Sequence, residues 1–521
     1  MYLRKSAGKT CSPGNILIIF AGKITSLKKI YIGAFVFFIF TAFMSAGFFH
    51  EDEHFQLVEF ANFKLGNIEA KDLPWEYEEQ MRPTFQVGVV YLVFSAMYRM
   101  QVWDPFTATL VLRLIAAVLS FFALYRFFNK YQAELIRQKS VHWFLALTFF
   151  LWYIPFISVR FSSESFATIF LLFAISYYHS SGHKKTNLFH HFLAGLFLGL
   201  SFICRYQMGF MVFGFALWIL IIRKENIRAI GLILGGFLLS VLIGLLADRW
   251  FYGKWVLSAY NYFYQNLVEN KAAGFGTSPF WFYAKNTPLF VFPLFGFVIV
   301  PCLIAFFIKY PRHLFTWLLI PFLLIHHLIG HKEMRFLFPM APFIPFVVIM
   351  MLQRLSWIRY LEFLKYPFWV LNILFLIIMS CKPAYDNVGV FKYLYRHGAH
   401  QPVYFISHQP PFRMYLPEIA KQPYRPGVDL IMHFYHKPGF YPHAVKDIAV
   451  LDSVLQTTHQ KSLLVTRTIS YEEVYEPEMT RRHIQHKVVY YTYHSYFRNF
   501  NYYNWMSIED VGVWTIVEVQ H

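Results

Sequence analysis

Residues 30–56 read IYIGAFVFFIFTAFMSAGFFHEDEHFQ, an apolar run from Ile30 to Phe49 that is followed directly by five ionisable side chains. The apolar run has about 20 residues, which is long enough for a helix to cross a bilayer. Carboxylates beside hydrocarbon are costly unless they are hydrated, paired or used in chemistry. The stretch therefore predicts a membrane span that ends at an acidic cluster, and this junction is the first candidate for an active site.

The composition of the whole chain agrees with a polytopic membrane protein. The 521 residues are 57% hydrophobic, 21% aromatic and only 15% charged, which is too apolar for an ordinary soluble enzyme. The net charge of +18 comes from short Lys and Arg clusters between apolar runs, as in cytoplasmic loops of membrane proteins. The expected partner is therefore a lipid bilayer and not a nucleic acid. The four cysteines are far apart and predict neither a disulfide framework nor a zinc ribbon.

About eleven apolar stretches are long enough to predict transmembrane helices. With the N-terminus inside, the basic clusters fall at every second connection. Residues 84–100 are also apolar, but a further span there would invert every later loop, so they are predicted to form an amphipathic helix on the outer surface. The predicted spans are 30–49, 106–125, 141–157, 164–178, 189–204, 207–222, 229–247, 287–308, 314–330, 336–352 and 366–381.

Two domains follow from this pattern. Residues 1–381 form an all-α polytopic transmembrane domain with a large first outer loop, from His50 to about Asp104. Residues 382–521 are more polar and contain strand-like stretches, for example Lys487 to Tyr493, together with a helical stretch near Ala444 to Gln456. They predict a small α/β domain on the outer face.

The acidic cluster has a catalytic and a structural interpretation. Asp52 precedes a helical pattern, so it could cap a helix N-terminus, with Glu51 and Glu53 as solvated neighbours. Three adjacent carboxylates at an apolar junction, however, raise the pKa of at least one of them by mutual repulsion. Such a carboxylate suits a base that accepts a proton near neutral pH. We therefore favour catalysis, with Asp52 and Glu53 as the candidates.

Two further classes of protein fit parts of the sequence. His50-Glu51-x-x-His54 matches the zinc-protease pattern, in which two histidines bind metal and a glutamate activates water. A membrane-embedded zinc protease needs a third ligand, and no later span supplies a convincing one. A transporter would also place charges inside the membrane, but paired broken helices in an internal repeat are not evident in the sequence.

Two later motifs lie on the same predicted outer face. Residues 248–255 read DRWFYGKW, which suits either a substrate loop or interfacial anchoring. Residues 331–336 read HKEMRF and carry three potentially cationic side chains against the positive-inside bias. A phosphate at the membrane surface would match them, whereas snorkelling is the alternative. The single cations Arg82, Arg160 and Arg205 at outer helix ends are predicted, taken alone, to be membrane anchors.

Taken in order, these motifs resemble those of glycosyltransferase family 22, the polyprenyl-phosphate-mannose-dependent α-mannosyltransferases of the GT-C superfamily. HEDEHFQ at residues 50–56 is similar to the family's His-Pro-Asp-Glu motif, and Trp75-Glu76-Tyr77 with Arg82 is similar to its Thr-Trp-Glu-Tyr segment. Residues 248–255 and 331–336 resemble its Asp-Arg-Tyr-Phe-Tyr-Gly-Arg-Trp and His-Lys-Glu-x-Arg-Phe motifs. The match is nearest to the branch of the third GPI mannosyltransferase, and the tail matches poorly.

The resemblance implies a GT-C fold and an inverting transfer of mannose from a β-linked polyprenyl (dolichyl-type) phosphate to a hydroxyl of a glycan or glycolipid, without a metal ion or other cofactor. Asp52 takes the position of the general base, and Glu53 lies beside it. The donor phosphate is assigned to four cations, namely His331, Lys332, Arg335 and Arg82. The other candidates for substrate binding are Glu51, Trp75, Glu76, Asp248, Arg249 and Tyr252.

Some residues depart from the family pattern. Glu51 replaces the family's proline, Met334 stands where a second glutamate is common, and residues 277–283 lack the histidines of the GPI enzymes. These departures leave the acceptor open and favour a bacterial inner membrane over the endoplasmic reticulum, with the site facing the periplasm or the lumen respectively. A relative that transfers glucose or arabinose from the same type of carrier is the nearest alternative within the superfamily.

Overall fold

The computed structural model describes residues 13–178, 188–291, 296–355, 362–385, 387–398, 401–406, 432–437, 442–492 and 514–521. Most of these residues are helical. The N-terminal helix α1 is followed by the segment that was predicted to be the first outer loop, and this name is kept for it. The segment carries two short helices and the longer α4. The bounds in this part are α1 Pro13–Met44, α2 Glu51–Glu53, α3 Phe60–Lys64 and α4 Phe85–Arg99.

Thirteen further helices complete the apolar part of the chain. They are α5 Pro105–Tyr131, α6 Gln138–Phe150, α7 Ile154–Ser158, α8 Ser163–Tyr177, α9 Leu188–Cys204, α10 Gly209–Leu217, α11 Ile227–Tyr252, α12 Ser258–Phe263, α13 Phe282–Phe290, α14 Gly296–Lys309, α15 Leu314–Leu328, α16 Phe343–Leu352 and α17 Lys365–Cys381. Short 3-10 or π turns extend several of them, as at Met334–Met340 before α16.

Within the described residues, four helical segments are long and apolar enough to cross a membrane, and a fifth candidate is a bent pair. Five further apolar helices are only 10 to 17 residues long, and α4 is one of them. The predicted number of eleven spans therefore stays a prediction. The four long segments are Pro105–Glu134, Tyr206–Arg223, Ile227–Tyr252 and Glu362–Cys381.

Two predicted spans are not straight helices. Residues 336–352 divide into the 3-10 helix Met334–Met340 and α16, which are bent by 69°, because Pro339 and Pro342 lack the N–H that a continuous helix needs. Residues 141–157 break between α6 and α7 ahead of a proline at the start of α7. Asn372 satisfies the freed backbone, since its Nδ2 donates to Phe150 O (2.8 Å) and its Oδ1 accepts from Trp152 N (3.0 Å).

Close packing of α9 against α11 depends on glycine. A Cβ at Gly195 would lie 1.9 Å from Ile233 O, and a Cβ at Gly236 would lie 2.2 Å from Phe192 O. Ser240 Oγ adds a hydrogen bond of 2.7 Å to Leu196 O. Small residues that let two backbones approach, with a hydroxyl bonding across, are typical of helix pairs in membranes.

The C-terminal part contains a five-stranded mixed sheet with the strand order β2-β1-β3-β5-β4. β1 pairs in parallel with β2 and β3, and β5 pairs antiparallel with β3 and β4. Whether residues 382–521 form a separate domain stays a prediction. The bounds are α18 Val388–His397, β1 Val403–Ile406, β2 His443–Val445, α19 Ile448–Thr458, β3 Ser462–Arg467, α20 Thr468–Ser470, α21 Glu476–Arg481, β4 Gln485–Tyr491 and β5 Trp514–Gln520.

Alternate side chains of this sheet enter two different cores, as the period of two in a strand requires. Phe405 and Val465 belong to the large core that also contains the helical part of the chain. Tyr404 and Leu464 belong to a smaller core on the other face of the sheet, with α19. The sheet is therefore packed against the helical part and not tethered beside it.

A buried ionic cluster fixes the first outer loop. His54 Nε2 lies 3.0 Å from Glu59 Oε1, and both side chains are 1% exposed. Glu59 also accepts hydrogen bonds from Asn62 Nδ2 (3.0 Å) and from the backbone N of Phe434 (2.9 Å). Because Phe434 belongs to the C-terminal part, this carboxylate joins the acidic loop to the tail.

Removing one member of this pair should be strongly destabilising. In Glu59→Ala the buried imidazole of His54 and the N–H of Phe434 lose their partner, so we expect a loss of about 3–5 kcal/mol of stability. Thermal unfolding of the detergent-purified protein measures it. Glu69→Ala, at an exposed carboxylate of the same loop, is the matched control and should unfold like the wild type. Equal unfolding temperatures for the two variants would contradict the role given to Glu59.

Candidate active site

The acidic cluster begins a separate helix and not the end of the first span. α1 ends at Met44, and the chain then turns through Gly47, which has a φ of +81°. His50 caps α2, since its Nδ1 accepts a hydrogen bond from Asp52 N (3.3 Å). The predictions that the span runs to Phe49 and that Asp52 could be the cap are therefore wrong. With the cap supplied by His50, the Asp52 carboxylate is free for other contacts.

Asp52 meets a cation from the distant HKEMRF motif. Its Oδ2 lies 2.8 Å from Arg335 Nη1, and its Oδ1 accepts a hydrogen bond of 2.8 Å from Gln56 Nε2. Burial acts to raise the pKa of Asp52, but the charges of Arg335, His50 and Arg82 outweigh it and hold that pKa well below its ordinary value. Asp52 is therefore ionised at neutral pH, as a general base must be.

Glu53 has the opposite electrostatic environment. Its side chain is 10% exposed, and the nearest cation, Arg160, lies 3.8 Å away. Burial, only partly opposed by Arg160, raises the pKa of Glu53 to about 7, and the negative charge of Glu164 adds to the rise. The pKa of Glu53 is therefore raised by burial and by Glu164, and not by the mutual repulsion of the three adjacent carboxylates that the sequence predicted. The two neighbours have different protonation behaviour, which suits different roles.

The raised pKa of Glu53 makes stability depend on pH. The folded protein binds the Glu53 proton more tightly than the unfolded chain does, so the stabilisation is complete below the ordinary pKa of 4.5 and is lost as the pH rises to about 7. Glu53→Gln mimics the protonated form. The unfolding temperature of this variant should change less with pH than that of the wild type between these pH values, and it should be higher above pH 7. The corresponding gain in the free energy of unfolding above pH 7 is on the order of a few kcal/mol.

Thermal unfolding from pH 4.5 to pH 8.5 measures this effect, with the exposed Glu69→Gln as the control. An unchanged pH profile in Glu53→Gln would contradict the assignment of the shift to Glu53.

Arg335 is held by three carboxylates at once. Besides Asp52, its Nη1 lies 3.1 Å from Glu164 Oε1, and its Nε donates to Glu333 Oε2. Glu164 also binds Arg205, with 2.7 Å between Oε1 and Nη1. Arg335, Glu164 and Arg205 are each less than a tenth exposed. The site is thus a network in which carboxylates and guanidinium groups alternate, and it includes more residues than the two motifs that predicted it.

Two arginines that were predicted to be membrane anchors belong to this network. Arg205 is 8% exposed and bonds Glu164, and Arg160 is 2% exposed and donates to the backbone oxygens of Ser45 and Gly47. The prediction was wrong because it treated each cation separately. Glu164 was missed altogether, although an acid at the start of an apolar helix is a signal in itself.

The Glu333 carboxylate contacts one histidine from each of the two motifs. His331 Nε2 lies 2.9 Å from Glu333 Oε1, and His50 Nε2 lies 3.3 Å from Glu333 Oε2. The hydrogen bond to Glu333 raises the pKa of His331, while His331, His50 and Arg335 together lower the pKa of Glu333 against the effect of burial. Lys332 instead donates to the backbone oxygens of Ser278 (3.0 Å) and Ile329, so it fixes the neighbouring loop.

Residues of the first outer loop complete the polar side of the site. Glu76 Oε1 accepts hydrogen bonds from Gln56 Nε2 (3.2 Å) and Arg82 Nη2 (3.1 Å), which brings it to the Asp52 side of the cluster. Tyr252 donates to Arg82 O (3.0 Å) and so positions that residue from α11. Glu51 lies at the rim, more than a third exposed, with His50 Nε2 at 3.4 Å.

Three predicted substrate residues have contacts elsewhere. Asp248 is buried and accepts hydrogen bonds from Thr84 N (3.0 Å) and Ser258 Oγ, so it ties the outer loop to α11. Arg249 is exposed and lies over the Trp255 ring at 4.5 Å, as interfacial anchoring predicts. Trp75 packs against Phe275 and under Lys271. Of the motif at 248–255, only Tyr252 contacts a residue of the site.

Two cavities open beside the charged network. A small polar cavity of about 40 Å³ is lined by Asp52, Glu53, Arg82, Glu164 and Arg205, among others. A larger cavity of about 280 Å³ is almost entirely apolar. Met334, in the HKEMRF motif, lines the apolar cavity together with Phe49, Phe156, Tyr283, Leu303 and Phe338. The site is therefore polar on one side and apolar on the other.

The geometry of a zinc protease is not found. His54 directs Nε2 to Glu59, its ring stacks on Tyr435 at 5.4 Å, and His50 bonds Glu51 and Glu333. Across the residues with described positions, no group of three or more His, Cys, Asp or Glu side chains is arranged to hold a metal ion. Of the two histidines of the HExxH pattern, His54 thus bonds the buried Glu59 and His50 caps a helix.

The fold and the sequence were both compared with known proteins. ArnT from Cupriavidus metallidurans, solved with bound undecaprenyl phosphate, superposes with a TM-score of 0.51 at 11% identity, over 95% of this chain and 98% of ArnT. Bovine GPI alpha-1,2-mannosyltransferase 3 is 25% identical over 61% of this chain and 58% of its own length. GPI mannosyltransferase 3 of Candida albicans is 25% identical over 61% of this chain and 63% of its own length.

A third relative is a probable Dol-P-Man:Man(7)GlcNAc(2)-PP-Dol alpha-1,6-mannosyltransferase of Schizosaccharomyces pombe, which is 24% identical over 53% of this chain and 49% of its own length. The chain thus spans less than two thirds of the curated relatives it matches. The structural likeness to ArnT confirms the mostly helical GT-C fold. Residues 30–439 match the model of the Alg9-like mannosyltransferase family. Since this match covers most of the chain, the protein belongs to the Alg9-like mannosyltransferase family, as its motifs predicted.

Proposed function

We propose that the protein is an inverting α-mannosyltransferase that moves mannose from a β-linked polyprenyl phosphate to a hydroxyl of a glycan or glycolipid. One observation carries this proposal. The Asp52 carboxylate and the Arg335 guanidinium, 283 positions apart, meet at 2.8 Å. Asp52 lines the polar cavity, and Met334, the residue before Arg335, lines the apolar one. Such a transfer needs a base for the proton of the acceptor and a cation for the departing phosphate.

Asp52 acts as the general base in this reaction. Its Oδ takes the proton of the acceptor hydroxyl while the acceptor oxygen attacks C1 of mannose from the face opposite the phosphate. The bond between C1 and the phosphate oxygen breaks, and its electron pair stays on the polyprenyl phosphate. This single displacement inverts the configuration at C1, so that a β-linked donor gives an α-linked product.

Arg335 stabilises the charge that grows on the departing phosphate. Its planar guanidinium binds two phosphate oxygens at once, and such stabilisation is strongest in a site from which water is excluded. Arg82 adds positive charge nearby, and His331 adds it when protonated, a form that its hydrogen bond to Glu333 favours by raising its pKa. Lys332 holds the loop of Ser278 in place. No metal ion is needed in this account.

Binding of the donor also changes the pKa of Asp52. Arg335 now lowers the pKa of Asp52 and binds it directly. When the donor phosphate draws Arg335 away, Asp52 loses its strongest positive neighbour and its pKa rises. The carboxylate thus becomes a better proton acceptor only after the donor has bound, which also protects the donor from activation of water in its absence.

The apolar cavity accepts the polyprenyl chain. Its lining is almost wholly aromatic and aliphatic and includes Met334, which lies between Glu333 and Arg335 in the chain. A polyprenyl phosphate likewise has an apolar chain and a charged end, which match the apolar cavity and the charged network. ArnT was solved with undecaprenyl phosphate bound. The donor phosphate would then lie at Arg335 while its chain fills the cavity.

The sugar and the acceptor occupy the polar cavity. Glu53 and Glu76 line or border it and are placed to accept hydrogen bonds from sugar hydroxyls. Glu51 lies at its rim. Asp248 and Tyr252 act from outside this cavity, by holding the outer loop and Arg82 in place. Trp75 and Arg249 have contacts elsewhere and take no part in this account.

The reaction takes place on the outer membrane face, as the positive-inside distribution of the basic loops supports. That face is the periplasmic side of a bacterial inner membrane, or the lumenal side of the endoplasmic reticulum in a eukaryote. We keep the bacterial assignment.

The donor sugar is tested with purified protein and synthetic polyprenyl phosphates carrying radiolabelled mannose, glucose or arabinose, mixed with a lipid extract as acceptor and with or without a chelator. We expect transfer of mannose alone, unaffected by the chelator. Transfer of glucose or arabinose but not mannose would replace the donor in this proposal. Absence of all transfer, with stoichiometric zinc in the protein, would favour the protease instead.

A further inference from the structure

A third cavity, of about 350 Å³, lies between the helical part and the C-terminal part of the chain. Its walls come from the end of α1, the start of α5, the helix α18 and the end of β4. It shares no lining residue with the polar or the apolar cavity of the active site. The acidic loop connects the end of α1 to the start of α5. Because both of these helix ends line the cavity, it lies at the same membrane surface as that loop.

The described lining of this cavity is strongly positive. It includes Arg113, Lys392 and Arg396, and Asp104 is its one acid, which leaves a net charge of 3 − 1 = +2. Asp104 is already engaged, because Oδ1 accepts hydrogen bonds from Thr107 N (2.7 Å) and Thr107 Oγ1 (2.8 Å) at the start of α5. The acid therefore caps a helix and does not neutralise the cations.

Arg113 is the buried cation of this cavity. It is 5% exposed, and its Nε donates to Ala42 O (2.9 Å). Its other nitrogens make no hydrogen bond with the part of the chain that the structure describes, and the side chain lines the cavity. Among the described residues no carboxylate forms an ion pair with Arg113, although the charge of Glu53 acts on it from a distance. A buried guanidinium in this position is costly unless an anion compensates it.

Two exposed cations face the same cavity from α18. Lys392 and Arg396 are four residues apart and therefore neighbours on one helix face, where like charges repel. Neither forms an ion pair with a carboxylate among the residues whose positions are described. An arginine fork and a lysine together match the oxygens of a phosphate group.

Another part of the lining is apolar and partly exposed. Phe43 and Met44, at the end of α1, line the cavity and are 55% and 40% exposed. Phe106 and Leu110 continue this wall along α5. The cavity therefore offers cations to a charged group and an apolar surface to a chain attached to it.

We propose that this cavity is a second phosphate-binding site, distinct from the active site, which holds the phosphate ester of an anionic lipid at Arg113, Lys392 and Arg396. The phosphate lies between Arg113 and α18, and the acyl chains follow Phe43 and Met44 into the bilayer. The same cations would also hold free phosphate, and the apolar wall is what favours the lipid.

Isothermal titration calorimetry tests this site with full-length protein in phosphatidylcholine nanodiscs. The probes are dihexanoyl phosphatidic acid and inorganic phosphate. The test variant is Lys392→Glu/Arg396→Glu, because both side chains are exposed and their replacement spares the buried Arg113. The matched control is Lys446→Glu/Arg481→Glu, with two exposed cations elsewhere in the C-terminal part. Arg335→Ala tests whether the lipid binds in the active site instead.

We expect phosphatidic acid to bind the wild type, the control and Arg335→Ala alike, and to bind the test variant at least tenfold more weakly. Inorganic phosphate should bind far more weakly than the lipid. Equal binding of both probes, lost in the test variant, would support the site with phosphate alone as the ligand. Unchanged binding in the test variant, loss in Arg335→Ala, or no binding of either probe would each overturn the proposal.

Discussion

Asp52→Asn is expected to reduce mannosyl transfer by about 10²–10⁴-fold while donor binding is kept. Asparagine has nearly the same shape and can still accept the hydrogen bond from Gln56, but it cannot take the acceptor proton. It also removes the negative charge of one of the three carboxylates that hold Arg335, so the donor should bind as tightly as to the wild type or more tightly. Single-turnover rates and donor titration on the same preparation separate the two effects.

Glu51→Gln is the matched control, since this neighbouring carboxylate lies at the rim and contacts only His50. Its rate should stay within a few-fold of the wild type. If Asp52→Asn kept full turnover, Asp52 would not be the base. If it lost donor binding together with activity, the loss would be structural and not catalytic.

Arg335→Ala is expected to lower kcat/KM for the donor by about 10²–10³-fold, because the phosphate loses its main charge-stabilising partner. Arg335→Lys should restore little of this, since an ammonium cannot bind two oxygens in the planar geometry of a guanidinium. Inhibition by free polyprenyl phosphate should weaken in parallel. Steady-state kinetics with varied donor, together with that inhibition constant, measure both effects.

Arg249→Ala provides the control for Arg335, because its guanidinium lies on the exposed Trp255 ring and contacts no residue of the site. We expect its kinetics to match those of the wild type. Donor kinetics that are normal in Arg335→Ala would remove the phosphate role. A similar loss in both variants would indicate a general effect of positive charge at the membrane surface.

The sequence was sufficient to predict the class of fold and the two ends of the site. An apolar run followed by carboxylates, and cations against the positive-inside bias, are local patterns that predict an outer-face site without knowledge of packing. The contact between Asp52 and Arg335 agrees with that prediction. The GT-C fold is likewise confirmed by the likeness to ArnT.

Features that depend on packing were missed. The role of Glu164 requires Arg205 and Arg335 to meet it, and none of these pairs is close in sequence. Isolated cations in apolar surroundings look like membrane anchors until their partners are known. The contact of Glu59 with Phe434 could not be predicted either, because the tail shows no pattern that points to the outer loop.

Helix ends were predicted least well. The first span was extended to Phe49 because hydrophobicity continues there, although the helix stops at Met44 before the turn at Gly47. Asp52 was considered as an alternative helix cap, since aspartate is a common capping residue, whereas His50 is the cap. Both expectations relied on residue composition, whereas backbone geometry determines where a helix begins and ends. The first of them placed the acidic cluster closer to the membrane span than it is.

The most direct test of the account is the configuration of the product made from synthetic β-linked polyprenyl-phosphate-mannose by the purified protein with a lipid-extract acceptor. The account predicts a mannolipid whose new linkage is α, assigned by the anomeric NMR signal and by release with an α-specific mannosidase. A β-linked product would contradict the single displacement at Asp52, and the absence of any mannolipid would contradict the proposed donor.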